Sequence, residues 1–191
     1  MNARTILSAD GRVRRAFTVS DLFRMVEAGI VGEDERIEVV AGELFPMAAK
    51  GIRHEVLKQH LNLHLALALP AGFTFIPEPG WTLSELLYLE PDYLVFPARL
   101  GFAEVKGPQA LLVIEVADSS LGYDLGRKPA LYAAEGVREY WVVDAQSRET
   151  HVHREPAGTG YASVRIYPAA VELTAALIPG FKVRMADLPE T

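Results

Sequence analysis

Glu115 interrupts the apolar run Leu111-Leu112-Val113-Ile114-Glu115-Val116-Ala117. An isolated ionised carboxylate in a strand buried on both faces costs several kcal/mol. Glu115 must therefore be paired, protonated or bound to a metal, or lie at the open end of its strand. A second acid, Asp92, follows Pro91 and directly precedes the apolar segment Tyr93-Leu94-Val95-Phe96. Two acids, each at a strand of one sheet, can converge on a hard divalent cation such as Mg²⁺. Such a cation lowers the pKa of bound water and neutralises charge on a phosphorane-like transition state, which is how phosphodiesters are usually cut. Asp124, Lys128 and Tyr132 recur every four residues just after the Glu115 strand, hence on one helical face. Lys128 could position an attacking water or offset charge, or could simply pair with Asp124.

These residues need a frame, and the chain supplies one. Ser20 is expected to cap a short helix carrying Leu22, Phe23 and Val26, closed by Gly29. Residues 36–40 and 43–47 read as a hairpin around Ala41-Gly42, and Val56, Leu57, Leu61, Leu65 and Ala68 mark a helix from Arg53 to Leu69. Strands are predicted at 73–76, 81–86, 93–96, 111–117 and 139–144, with an amphipathic helix at 124–135 closed by Gly136. Pro129 is comfortable only in a first helical turn, so the regular helix is expected to begin near Arg127. A helix joining two buried strands makes parallel neighbours. Segments 150–154, 161–167 and 171–175 are expected to finish the sheet as a C-terminal β meander. The predicted class is α/β, a mixed central β-sheet flanked by helices, with residues 1–16 as a flexible basic arm and 17–191 as a single domain.

Composition narrows the function. The 191 residues contain no cysteine, which excludes disulfide scaffolds, thiolate metal sites and cysteine nucleophiles. The net charge of −6 argues against coating nucleic acid through a broad basic face, so a nucleic-acid role must rest on a local patch or on bound metal. The first 15 residues lack an apolar core of the secretory type, and the most apolar stretch, 65–77, is 13 residues long where a span needs about 20. A cytoplasmic protein with no membrane contact is expected. His60 and His64 have chelating spacing on a helix, but the glutamate of an HExxH motif is missing and they read as solvated or hydrogen-bonded; His151 and His153 share a strand face without a third ligand and read as surface histidines. Trp81 and Trp141 read as core. Neither a Walker-type nor a dinucleotide glycine loop occurs.

The ordered set of Arg36-Ile37-Glu38-Val39-Val40-Ala41-Gly42-Glu43-Leu44, His54, Pro91-Asp92, Leu112 to Val116, Ser119, Asp124, Lys128, Tyr132 and Gly136 to Asp144 resembles the PD-(D/E)XK nuclease superfamily. More narrowly, it is similar to a large bacterial family of restriction-endonuclease-like proteins, over residues 17–183. The resemblance implies a restriction-endonuclease-like fold and a Mg²⁺-dependent endonuclease, with Mn²⁺ as an alternative, hydrolysing DNA. It further implies that Asp92 and Glu115 bind the metal with the carbonyl of Val116. The lysine that the superfamily motif places two residues after the acid is replaced by Ala117, and Lys128 matches the relocated lysine of the narrower family. Glu38 and His54 match further polar positions, Glu38 toward the metal and His54 toward phosphate or water. A homodimer is expected, since paired cuts on a duplex need two sites. The alternatives are a nuclease fold serving as a non-catalytic dimeric binding module, or hydrolysis of a small phosphate ester.

Overall fold

A computed structural model of the chain describes residues 5–7, 11–32 and 34–190. In chain order the elements are β1 (Thr5–Leu7), β2 (Val13–Arg15), α1 (Val19–Glu27), β3 (Ile37–Val40), β4 (Glu43–Pro46), α2 (Ile52–Ala68), β5 (Phe73–Pro77), β6 (Trp81–Ser84) and β7 (Leu87–Leu89). They continue with β8 (Tyr93–Pro97), β9 (Leu112–Ala117), α3 (Leu121–Gly126), α4 (Lys128–Ala134), β10 (Glu139–Asp144), β11 (Thr150–Ala157), β12 (Gly160–Tyr167), β13 (Leu173–Thr174) and β14 (Lys182–Val183). Two compact units emerge, Met1–Ala48 with Gly80–Glu90, and Ala49–Pro79 with Pro91–Thr191.

In the first unit, β1 pairs with β2 inside the predicted arm, of which residues 1–4 and 8–10 lie outside the described residues. Thr18 rather than Ser20 caps α1. Its hydroxyl accepts from the Asp21 N–H and the Asp21 carboxylate accepts from the Thr18 N–H, a reciprocal box that satisfies two helix-end donors. Starting two residues earlier buries Val19 beside Leu22, Val39 and Tyr88. The predicted hairpin is β3–β4, in a four-stranded sheet of order β4-β3-β7-β6. Its two-residue turn holds Ala41 at φ 52° and Gly42 at φ 81°, both left-handed. Glycine is required at the second position, because a Cβ on Gly42 would stand 2.7 Å from the Ala16 Cβ. The expected single strand at 81–86 turns back as β6 and β7. No Gly, Pro or Asn in Ser84-Glu85-Leu86 announces that turn.

The second unit is a six-stranded mixed sheet, order β12-β11-β10-β9-β8-β5. All six residues of β9 are buried, and β10 lies parallel to it after the α3–α4 crossover, as the continuous apolarity and the intervening helix predicted. Leu57, Leu61 and Leu65 of α2 pack in one cluster with Tyr93, Ile114, Val116 and Trp141. The helix expected at 124–135 is two short helices meeting at Arg127, because Pro129, having no N–H, belongs to the first turn of α4 and cannot continue α3. β11 and β12 form the predicted meander on β10, but 171–175 does not extend it. Only Leu173–Thr174 is extended, and it pairs with Lys182–Val183 in a separate ladder.

His153 corrects the surface reading. It stands opposite Tyr140 across β10–β11, 4% exposed, with the Tyr140 and Tyr161 rings 5.4 and 5.6 Å away and neither ring nitrogen hydrogen-bonded. Burial, aided by the charge of His151, pushes its pKa down to about 4. The unfolded chain therefore binds a proton that the fold excludes between pH 6.5 and about 4. Stability is complete above pH 6.5 and falls by about 2–3 kcal/mol as pH drops through that window. Thermal melts at steps from pH 7 to 4 should show this loss, and His153→Phe should flatten it.

Candidate active site

The antiparallel register of β8 with β9 sets Tyr93 opposite Ile114. One residue further, the same register carries Asp92 opposite Glu115, which is why an acid before one strand and an acid within another meet. The Asp92 N–H points to Glu115 Oε2 at 3.4 Å. Both side chains are buried.

Asp92 is held from three directions. Its Oδ2 accepts the Val116 N–H at 2.8 Å, its Oδ1 accepts from Lys50 Nζ at 2.8 Å, and His54 Nε2 lies 3.1 Å from both oxygens. His54 reaches this point because it continues the buried stripe of α2, three residues before Leu57 and within the helix's first turn. Its other nitrogen faces Glu55 Oε1 at 3.1 Å. Burial acts to raise the Asp92 pKa, but His54 and Lys50 outweigh it and hold the carboxyl well below the usual range.

Glu115 is held from the helical side. Its Oε1 accepts from Lys128 Nζ at 2.8 Å and from the Tyr132 hydroxyl at 3.0 Å. Lys128 also lies 3.2 Å from Asp124 Oδ1. The break at Arg127 thus leaves Asp124, Lys128 and Tyr132 converging on one point despite their division between α3 and α4. Burial, with Asp124 and Asp92 adding to it and Lys128 opposing, pushes Glu115 up to about 8. With Oε1 committed to two donors, Oε2 is the lobe turned toward Asp92.

Asp92, Glu115, Lys128, Asp124, Tyr132, His54 and the backbone of Val116 are thus brought together within the second unit. Glu38 belongs to the first unit, where its Oε1 accepts the Glu90 N–H at 3.3 Å. Sequence reasoning missed Lys50, and with it Glu78, whose carboxylate lies 2.5 Å from Lys50 Nζ and 3.0 Å from Lys58 Nζ. Burial works to raise Glu78, yet the two lysines draw it down to about 2. A lysine in the irregular segment Ala48-Ala49-Lys50-Gly51 carries no periodic signal, so only the fold reveals its address.

The family model described as "Putative restriction endonuclease", Uma2, matches residues 19–186. Among solved structures, a "putative nuclease" from Anabaena variabilis ATCC 29413 superposes with a TM-score of 0.70 at 11% identity, covering 90% of this chain and 96% of its own. At that identity the likeness speaks for the fold alone, and that fold is the expected nuclease-like mixed sheet with helices. No curated protein matches the chain. Because the family model spans nearly the whole sequence, the chain belongs to the Uma2 family of restriction-endonuclease-like proteins.

Proposed function

We propose that the protein is a divalent-metal-dependent endonuclease that hydrolyses DNA phosphodiester bonds, as a homodimer, at the site built on Asp92, Glu115 and Lys128. The observation that carries this reading is the pair of buried carboxylates set opposite each other across β8 and β9, with a buried lysine on one of them.

The donor set fits a hard cation. Asp92 and Glu115 offer only oxygen, the ligand chemistry of Mg²⁺ and Mn²⁺. Burial raises the Glu115 pKa even with Lys128 beside it, so a dication would supply the charge that its ionisation lacks. Among the described residues no three His, Asp or Glu side chains are grouped to hold a metal. Asp92 and Glu115 would hold the ion with the Val116 carbonyl, which leaves the remaining positions to water and a phosphate oxygen. A bound Mg²⁺ or Mn²⁺ supplies an activated water and neutralises developing charge on the phosphoryl group. The chain's own groups arrange this. The Val116 N–H fixes Asp92 Oδ2. Lys128 and Tyr132 fix Glu115 Oε1 and turn Oε2 inward. His54 Nε2 locks the Asp92 carboxylate plane. Lys128 offsets negative charge that accumulates as the bond breaks.

Among the described residues no helix is long and apolar enough to cross a membrane. The test is to incubate the protein with plasmid DNA, and in parallel with single-stranded DNA and RNA, in EDTA, Mg²⁺ and Mn²⁺. Nicking or linearisation of the plasmid with metal and none in EDTA is the expected result. Cleavage that persists in EDTA would overturn the metal-dependent reading. Absence of both cleavage and Mn²⁺ binding would turn the assignment toward a non-catalytic module.

A further inference from the structure

Lys50 and His54 share the oxygen of Asp92 that Val116 does not hold. Its ammonium lies 2.8 Å from Asp92 Oδ1 and 2.5 Å from Glu78 Oε1, on a side chain that is 18% exposed. Asp92 Oδ2 is committed to the backbone of β9. Oδ1 is therefore the oxygen a divalent ion would take, and the lysine already stands on it.

Glu78 is tied to the same place through the main chain. Its N–H donates to the Asp92 carbonyl at 3.0 Å, and its backbone is held at φ 47°, a left-handed conformation unusual for a glutamate. Lys58 steadies its carboxylate at 3.0 Å. Lys50 thus lies between two carboxylates whose mutual position is fixed, one deeply buried and one facing solvent.

We propose that Lys50 is a resident cation of the metal site, displaced by the incoming divalent ion from Asp92 onto Glu78, and that this exchange sets the metal affinity. The inference rests on the reading of Asp92 as a metal ligand. An ammonium and a dication cannot share one carboxylate oxygen in a buried site, since their repulsion at such separations is large where the dielectric is low. Lys50 must leave Oδ1, and its flexible four-carbon stem allows the shift. The move is inexpensive because the ammonium already bonds Glu78 and need not be dehydrated again. No covalent step is involved. Lys50 is a positioning residue here: it neutralises Asp92 until metal arrives and then lies beside the ion as a cation paired with Glu78.

The test is calorimetric titration of Mn²⁺ into the full chain at fixed pH without nucleic acid, so that turnover plays no part. Wild type, Lys50→Met, Asp92→Asn, Glu78→Gln and the Lys50→Met/Glu78→Gln double variant are compared after thermal melts confirm folding. Removing the competitor should tighten Mn²⁺ binding about tenfold in Lys50→Met, the worth of one charged hydrogen bond no longer surrendered. Glu78→Gln, which removes the carboxylate charge that would receive Lys50, should weaken binding about threefold or more. In the Lys50→Met background the same change should have almost no effect. Unchanged or weaker binding in Lys50→Met, with wild type binding and Asp92→Asn not, overturns the role of Lys50 and leaves the metal site standing. Equal binding by wild type and Asp92→Asn overturns the site itself, and the inference with it. If Lys50→Met does not fold, unchanged or tighter binding by Glu78→Gln overturns the exchange.

Discussion

Asp92→Asn should lose metal-dependent plasmid cleavage by at least about a thousandfold, some 4 kcal/mol of transition-state stabilisation, while remaining folded. The two consequences separate because the carboxylate serves two purposes. As a fold element it receives hydrogen bonds from the Val116 N–H, Lys50 and His54. An amide keeps one oxygen, which can stay on Val116. Its NH₂ then faces a lysine, but His54 can adopt the tautomer in which Nε2 accepts. The net cost is about 1–3 kcal/mol, that of a weakened buried polar group, and the chain should still melt cooperatively. As a metal ligand the same group loses its full negative charge, and an amide oxygen is a poor substitute on a hard dication. Plasmid nicking in Mg²⁺ and Mn²⁺, with thermal melts beside it, reads both effects. A variant that cuts at the wild-type rate would remove Asp92 from the reaction, and one that fails to fold would show its chief role to be structural.

The acids were legible because strand chemistry exposes them. Glu115 interrupts a run in which every other position is apolar, and Asp92 follows the proline that precedes another such run. Their meeting is a matter of register, which the sequence carries only as alternation and length. The β8–β9 pairing brings them opposite each other, and the parallel β9–β10 pairing follows from the helical crossover. Lys128 was legible through its four-residue spacing, although that spacing is realised over two helices. Lys50 and Glu78 were not. Both lie outside periodic structure, and long-range contacts alone place them, across 42 residues to Asp92 in one case. His153 failed for a related reason. Its strand alternates, but the face it shares with Tyr140 and Tyr161 is covered, and nothing within Thr150–Arg154 states that cover. The short β13–β14 ladder was missed because a five-residue apolar stretch cannot reveal which partner it will find.

Lys128→Met should lower stability by about 3–5 kcal/mol at pH 9, the cost of stranding buried charge, and the melting temperature by about 10 °C for a chain of this size. The ammonium is 4% exposed and answers both Glu115 and Asp124, at 2.8 and 3.2 Å. Methionine fills the stem's volume, so the loss isolates the charge from packing. The pH dependence carries the sign. Burial already holds Glu115 above the ordinary carboxylate range, with Lys128 pulling against it. Without Lys128 the folded pKa rises further above the unfolded value, so the protonated fold is favoured at low pH and that stability is lost as pH rises through the folded pKa. The deficit of Lys128→Met relative to wild type should therefore be small near pH 6 and grow as pH rises past about 8, where wild-type Glu115 ionises, so that it is larger at pH 9. Asp124→Asn added to Lys128→Met removes the second stranded charge and should restore about half the deficit. Urea or thermal melts of wild type, Lys128→Met, Asp124→Asn and the double variant at both pH values provide the cycle. A deficit uniform at both pH values and untouched by Asp124→Asn would mean that Lys128 acts by packing. A deficit that grows at high pH would show that its charge eases the ionisation of Glu115 inside the sheet, the state in which that carboxylate can serve a metal.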